Sequence, residues 1–195
     1  LLIAGHGAGD PGAVAAANGT EYKEAGQTRI AAALLEKELD GLGAETAVYD
    51  TARNAYADSR LGVLGSRAEF EKYDYVLELH FNAFRPDSGD GKTKGAEIYW
   101  PSTGPRSGME ERILTAAAGC GLTKRSAKAG RFAVIQAAWK AGVRANLLEI
   151  CFLDDADDMA VWEERKSDIC RAIAEAITKE EDEDVKLERF AMRYT

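Results

Sequence analysis

An α/β fold, a single domain with a mostly parallel or mixed central sheet and helices on both faces, is predicted by three features of this 195-residue chain. Strand-like and helix-like segments alternate almost throughout, as parallel strands require, because they are joined by crossover connections. The apolar fraction of 46% supplies one core without staples, and the length suits one domain. Each apolar strand pattern also ends in a cluster of turn formers.

The elements follow in order. "LLIA" opens as a strand buried on both faces and releases into "GHGAGDPG". "YKEAGQTRIAAALLEKELDGLG" spaces Ile30, Ala31, Leu34, Leu35 and Leu39 as a helix that stops at Gly41 and Gly43. "AETAVYD" predicts a short strand, and "DSRLGVLGSRAEFEKY" a helix lightly broken by glycine. "YDYVLELHF" predicts a strand bounded by the turn-rich "RPDSGDGKTKG", and "AEIYW" another short strand. A helix from about Pro105 to Gly119, the short segment "RFAVIQ", the apolar strand "VRANLLEICFL" and the amphipathic helix "DDMAVWEERKSDICRAIAEAI" complete the pattern. The last stretch, "TKEEDEDVKLERFAMRYT", is charged without an apolar stripe. Residues 1–178 are therefore expected to form the folded domain, and 179–195 a terminal extension or linker.

A net charge of −8 argues against nucleic acid or an anionic membrane as partner, since both require a basic face. Cys120, Cys151 and Cys170 are odd in number and form no C-x-x-C, so buried free thiols are expected rather than disulfides or a thiolate zinc site. No apolar run approaches the roughly 20 residues of a membrane span, and no cleavable signal is visible. The sequence begins without methionine and already inside a strand, so residues upstream are expected.

Chemistry collects at the strand ends. His6 and His80, the only two histidines, each close an apolar strand and precede loop formers. Clefts in open α/β sheets form beyond the carboxyl ends of strands, so both imidazoles can face one cleft. Two imidazoles and one carboxylate leave a zinc coordination position open for water. Either histidine alone reads more plainly as one satisfied by backbone; the shared placement raises the metal reading. The third ligand is Glu24 or Glu21. Glu24 lies seven positions before Ala31 and eleven before Leu35, on the helix face that meets the sheet, whereas Glu21 falls near the flank; Glu24 is preferred and Glu21 kept as the alternate. First-turn acids are also ordinary solvated partners of the helix dipole.

Glu149 interrupts the apolar run "NLLEICFLDD", where an unpaired carboxylate costs several kcal/mol or shifts its pKa upward. Beside a metal site it can act as general base and return the proton to a leaving amine. Glu78 shares the strand face of His80, roughly 6.5 Å along the strand, and is assigned a supporting or cross-strand role.

Read together, "AGHGAGDPGA", "NGTEYKEAGQTR", "ELHFNA" and "NLLEICFL" resemble the zinc-dependent N-acetylmuramoyl-L-alanine amidases of bacterial cell-wall enzymes and phage endolysins. The resemblance runs from the first strand to about Ile177. It implies a zinc ion held by His6, Glu24 and His80, with Glu149 as catalytic acid/base. It also implies cleavage of the bond between N-acetylmuramic acid and the L-alanine of the peptidoglycan stem peptide. The two glutamates of "NGTEYKEAG" leave the third ligand open by one helical turn. Action at the cell wall follows, with storage in the cytoplasm before release if the source is a phage, and the charged tail leads toward a wall-binding domain.

Asp10, Pro11 and Gly12 are expected to shape the loop behind His6, and Asn82 to organise a loop through local backbone hydrogen bonds. "DDADDMAVW" lacks the glycine and terminal glutamate of a calcium loop, and "SGDGK" lacks phosphate-loop spacing. Trp162 is expected in the core, while Trp100 and Trp139 stay open as groove-lining residues. Two other readings remain. One is a zinc carboxypeptidase or γ-glutamyl hydrolase, for which Arg131 or Arg144 would clamp a free carboxylate. The other is a wall-binding module without turnover.

Overall fold

Two long strands, Tyr75–Asn82 and Arg144–Phe152, buried almost continuously because helices cover both faces, lie in the interior of the sheet that carries the site. The computed structural model describes residues 1–84 and 92–179. Five strands, β1 (Leu2–Ala4), β4 (Tyr75–Asn82), β7 (Arg144–Phe152), β5 (Ala96–Pro101) and β6 (Lys124–Gly130), lie in the order β1-β4-β7-β5-β6. The β1–β4, β4–β7 and β5–β6 pairs are parallel and β7–β5 is antiparallel, so the single-domain sheet is mixed. A separate antiparallel hairpin joins β2 (Val14–Ala17) to β3 (Thr20–Lys23).

Helices cover both faces. On one, α1 (Glu24–Gly41), α4 (Met109–Gly119) and α6 (Ala156–Thr178) bury Ala31, Leu35, Ile113, Leu114, Trp162 and Ile169 against Leu77, Leu79, Phe81, Leu148 and Ile150. On the other, α2 (Ala55–Arg60), α3 (Leu64–Ala68) and α5 (Ala133–Lys140) cover Ile3, Val76, Ala145 and Leu147. Each fully buried Leu, Ile or Val contributes about 1.5–3 kcal/mol. Parity along β4 and β7 puts Glu78, His80 and Glu149 on this second face, at the carboxyl ends of the two strands.

Several expected elements differ. "AETAVYD" forms no strand: it meets β1 through a single bridge between Leu2 and Val48, because β1 offers only three residues to pair. "DSRLGVLGSRAEFEKY" splits into α2, α3 and a 3-10 turn (Phe70–Lys72), since Gly62 and Glu69 adopt left-handed backbone angles of 70° and 47°. The helix expected from Pro105 begins at Met109, after Gly108 at φ 81°. "RFAVIQ" enters α5, and the polar edge strand β6 precedes it. The β2–β3 hairpin is a further difference from the expected elements, and its turn is made by Asn18–Gly19, both at positive φ. Most of the turn-rich segment after β4 and the charged tail lie outside the described residues.

All three cysteines are buried and free. Among the described residues, no helix is long and apolar enough to cross a membrane.

Candidate metal centre

The loop after β1 folds back over the start of α1. His6 takes a left-handed backbone angle of 63°, a conformation that costs an L-residue about 1–2 kcal/mol. Arg29 helps hold it there, donating to the carbonyl oxygens of Gly5 and His6 at 3.3 and 3.2 Å. The first amides of α1, from Glu24 and Ala25, donate to the carbonyls of Ala13 and Pro11, which ties the helix start to the same loop. Gly12, at φ 66°, lies so close that a Cβ would meet Glu24 Oε2 at 2.6 Å and His6 Cδ2 at 2.7 Å. Loop shaping by Gly12 is thus a matter of both backbone angle and space.

Glu24 joins the two histidines. Its Oε2 meets His6 Nε2 at 3.0 Å and its Oε1 meets His80 Nδ1 at 2.8 Å, while the amides of Ala13 and Phe81 donate to the same two oxygens. The rings of His6 and His80 meet edge to face with centroids 4.9 Å apart. One ligand atom from each of His6, Glu24 and His80 lies within 4.8 Å of the others. Glu21 is exposed on β3 and takes no part in this cluster. Two imidazole nitrogens and a carboxylate oxygen at this separation are a donor set suited to zinc.

The outer nitrogens also have partners. Asp10 Oδ2 lies 2.9 Å from His6 Nδ1 and accepts from Asn54 Nδ2 at 3.0 Å, and Asp10 Oδ1 accepts from the Gly12 amide. Asp10 therefore holds the imidazole as well as the loop. Glu78 Oε1 lies 3.2 Å from His80 Nε2. The hydrogen bond with Glu24 raises the His6 pKa. Burial alone would depress His80, but hydrogen bonds with Glu24 and Glu78 lift it well above the ordinary histidine value. Burial would likewise raise Glu24, yet the two histidines hold it well below the usual carboxylate range.

Glu149 is the Cα partner of His80 across β4–β7 and of Glu97 across β7–β5. Its Oε2 is buried without a hydrogen-bond partner among the described residues, and burial pushes the carboxyl up to about 7. Glu97 is a buried acid that sequence reasoning missed, hidden in the short strand "AEIYW". It accepts from Asn82 Nδ2, Tyr99 OH, Arg125 Nε and Lys128 Nζ. Among the described residues, the Asn82 side chain at the end of β4 donates to Glu97 on β5, two strands away across β7.

Other expected residues lie elsewhere. Trp162 is buried in the core, edge to face with Phe81. Trp100 lies under Arg106, and Trp139 packs against Gly104. Arg144 opens β7 and lines a cavity of about 780 Å³ with Tyr75 and Arg112, at the end of the sheet opposite Glu149. Arg131 follows Gly130, the partner of Pro101, and because β5 runs antiparallel to β7 that end is also remote from Glu149. Neither arginine is placed to clamp a substrate carboxylate beside His80.

Residues 1–179 match the family described as Amidase_3: N-acetylmuramoyl-L-alanine amidase. A sequence search among curated proteins gives no match. Among solved structures, the catalytic domain of CwlV, an N-acetylmuramoyl-L-alanine amidase from Bacillus (Paenibacillus) polymyxa var. colistinus, superposes with a TM-score of 0.70 at 25% identity, over 91% of this chain and 94% of that one. Cwp6 from Clostridium difficile gives 0.72 at 21% identity over 90% of this chain, which spans only 28% of Cwp6. The catalytic domain of the CD27L endolysin, targeting Clostridia difficile, gives 0.64 at 18% identity, over 93% and 97% of the two chains. The last two likenesses are of fold.

Proposed function

Because the chain belongs to the N-acetylmuramoyl-L-alanine amidase family over residues 1–179, we propose that it is a zinc-dependent peptidoglycan hydrolase. The bond cut joins the lactyl group of N-acetylmuramic acid to the L-alanine of the stem peptide. The observation that carries this reading is the convergence of His6, Glu24 and His80 on one point, beside Glu149 on the next strand. His6 Nε2, a Glu24 oxygen and His80 Nδ1 would hold the ion. When bound, zinc supplies Lewis acidity, polarising the amide carbonyl and acidifying a water molecule.

The chain's own residues do the rest. Glu24 is fixed by two backbone amides, so its carboxylate is oriented before any ligand arrives. Asp10 and Glu78 hold the imidazoles from their far sides. Glu149 takes the proton that the attacking water loses and delivers it to the departing L-alanine amine, so one proton shuttles through Oε1 or Oε2 per turnover. A carboxyl lifted to about 7 by burial both accepts and donates near neutral pH. Action at the cell wall follows from the substrate.

Digestion of purified muropeptides tests the assignment. Intact glycan with released stem peptide bearing a new L-alanine amino terminus is the expected result. Release of only a terminal amino acid would instead indicate a carboxypeptidase, and no release a wall-binding module.

A further inference from the structure

We propose that Glu78 is the positioning residue that decides how His80 meets the metal: it holds Nε2–H and leaves Nδ1 to ligate, whereas His6 ligates through Nε2. The inference rests on the metal reading above and extends it to an outer carboxylate and to the choice of nitrogens. Glu24 marks the inner side of the cluster, since its oxygens meet His6 Nε2 and His80 Nδ1. The remaining nitrogens face carboxylates: His6 Nδ1 meets Asp10 at 2.9 Å and His80 Nε2 meets Glu78 at 3.2 Å. A neutral imidazole carries one N–H, so the nitrogen held by an acceptor keeps the proton and the other presents its lone pair.

The two holders are unequal. The Asp10 side chain is 47% exposed and divides its oxygens among His6, Asn54 and the Gly12 amide. The Glu78 side chain is 6% exposed, between Leu77 and Leu79 on β4, an interior strand of the sheet flanked by β1 and β7. Glu78 Oε2 is buried without a hydrogen-bond partner among the described residues. A carboxylate with one oxygen left unbonded in a sheet interior is a poor choice for stability alone, and a nearby cation compensates it. The His80 ring also lies so close over Gly5 that a Cβ there would meet its Nε2 at 2.5 Å, so the ring has little room to exchange its nitrogens.

Zinc affinity by chelator competition, with nitrogen NMR of the histidines in the zinc-loaded chain, tests this. Glu78→Leu is expected to weaken zinc binding by about 10- to 100-fold. Glu78→Gln, which keeps an acceptor oxygen, should recover part of that loss, and Asp10→Asn should cost less than Glu78→Leu. The wild-type spectrum should show His80 protonated at Nε2 and coordinated through Nδ1, with His6 the reverse. Coordination of His80 through Nε2, or a Glu78→Leu affinity within about twofold of wild type, overturns the proposal. A wild-type chain that binds no zinc overturns the metal reading itself. If Glu78→Leu does not fold, the wild-type spectrum and Glu78→Gln still decide.

Discussion

His80 and Glu149 are Cα partners across the parallel β4–β7 pair, and strand parity turns both side chains to the same face. Adjacent strands lie about 4.8 Å apart. That spacing joins a metal-ligand candidate to a carboxyl raised by burial, the pairing on which proton transfer beside a metal depends.

Glu149→Gln keeps the shape of the side chain and removes its titration. Hydrolysis of muropeptides should fall by about 10²- to 10⁴-fold while zinc content stays at the wild-type level. Near wild-type rates would remove Glu149 from the chemistry.

The same variant has a signature in stability. In the metal-free chain the folded Glu149 carboxyl sits at about 7 against an ordinary value of 4.5. The folded state then holds a proton that the unfolded chain has released, so stability falls as pH rises from 4.5 to 7 and is level above. Glu149→Gln should therefore stabilise the metal-free chain at pH 8, by no more than about 3 kcal/mol, and not at pH 4. Urea denaturation at the two pH values checks this; an equal change at both would assign the effect to packing instead.

On the proposed zinc reading, the ion would displace protons from the two histidines, whose pKa values are raised in the metal-free chain by Glu24, with Asp10 adding to the effect at His6 and Glu78 at His80. Affinity should drop as the solution is acidified, by about tenfold per pH unit for each proton displaced. Chelator competition at pH 8, 7 and 6 measures the slope, and a flat profile would mean that the imidazoles are not the ligands.

Glu24→Ala should abolish zinc binding, and Glu21→Ala should leave it unchanged, because only Glu24 reaches both imidazoles. Metal analysis of the two purified variants gives the answer directly; loss in Glu21→Ala would move the third ligand.

Gly12→Ala places a methyl against Glu24 and His6 at a left-handed backbone angle. Destabilisation by about 1–3 kcal/mol and weaker zinc binding are expected. Gly19→Ala is the control, since its φ of 76° is similar and its Cβ meets nothing. It should lose only the backbone contribution and keep zinc affinity. Equal zinc binding in both variants would show that the crowding at Gly12 is relieved without disturbing the ligands.

Much of this arrangement is legible along the chain. Near-continuous apolar runs reveal β4 and β7, which are buried on both faces, and apolar residues at a period of 3.6 reveal α1 and α6, which bury one face. Glu149 shows itself as a charge inside such a run. Edge strand β6 does not, since "KRSAKAG" joins the sheet by backbone pairing with β5 and needs no apolar face. Glu97 is hidden for a related reason: its partners Arg125, Lys128 and Asn82 come from two other strands, and nothing in its own neighbours announces them.

The sequence by itself determined the principal strands β1, β4, β5 and β7, the long helices α1, α4 and α6, the two strand-end histidines and the acid set in the apolar run of the last strand, all properties carried by local spacing. Tertiary structure alone decided that Glu24 and not Glu21 stands between the imidazoles, after the β2–β3 hairpin leaves residue 21 on an exposed strand. It also decided that Asp10 and Glu78 hold the far nitrogens, and that Arg131 and Arg144 fall at the wrong end of the sheet. These outcomes depend on register and strand direction. Both are fixed by contacts between segments far apart in the chain, which no local periodicity records.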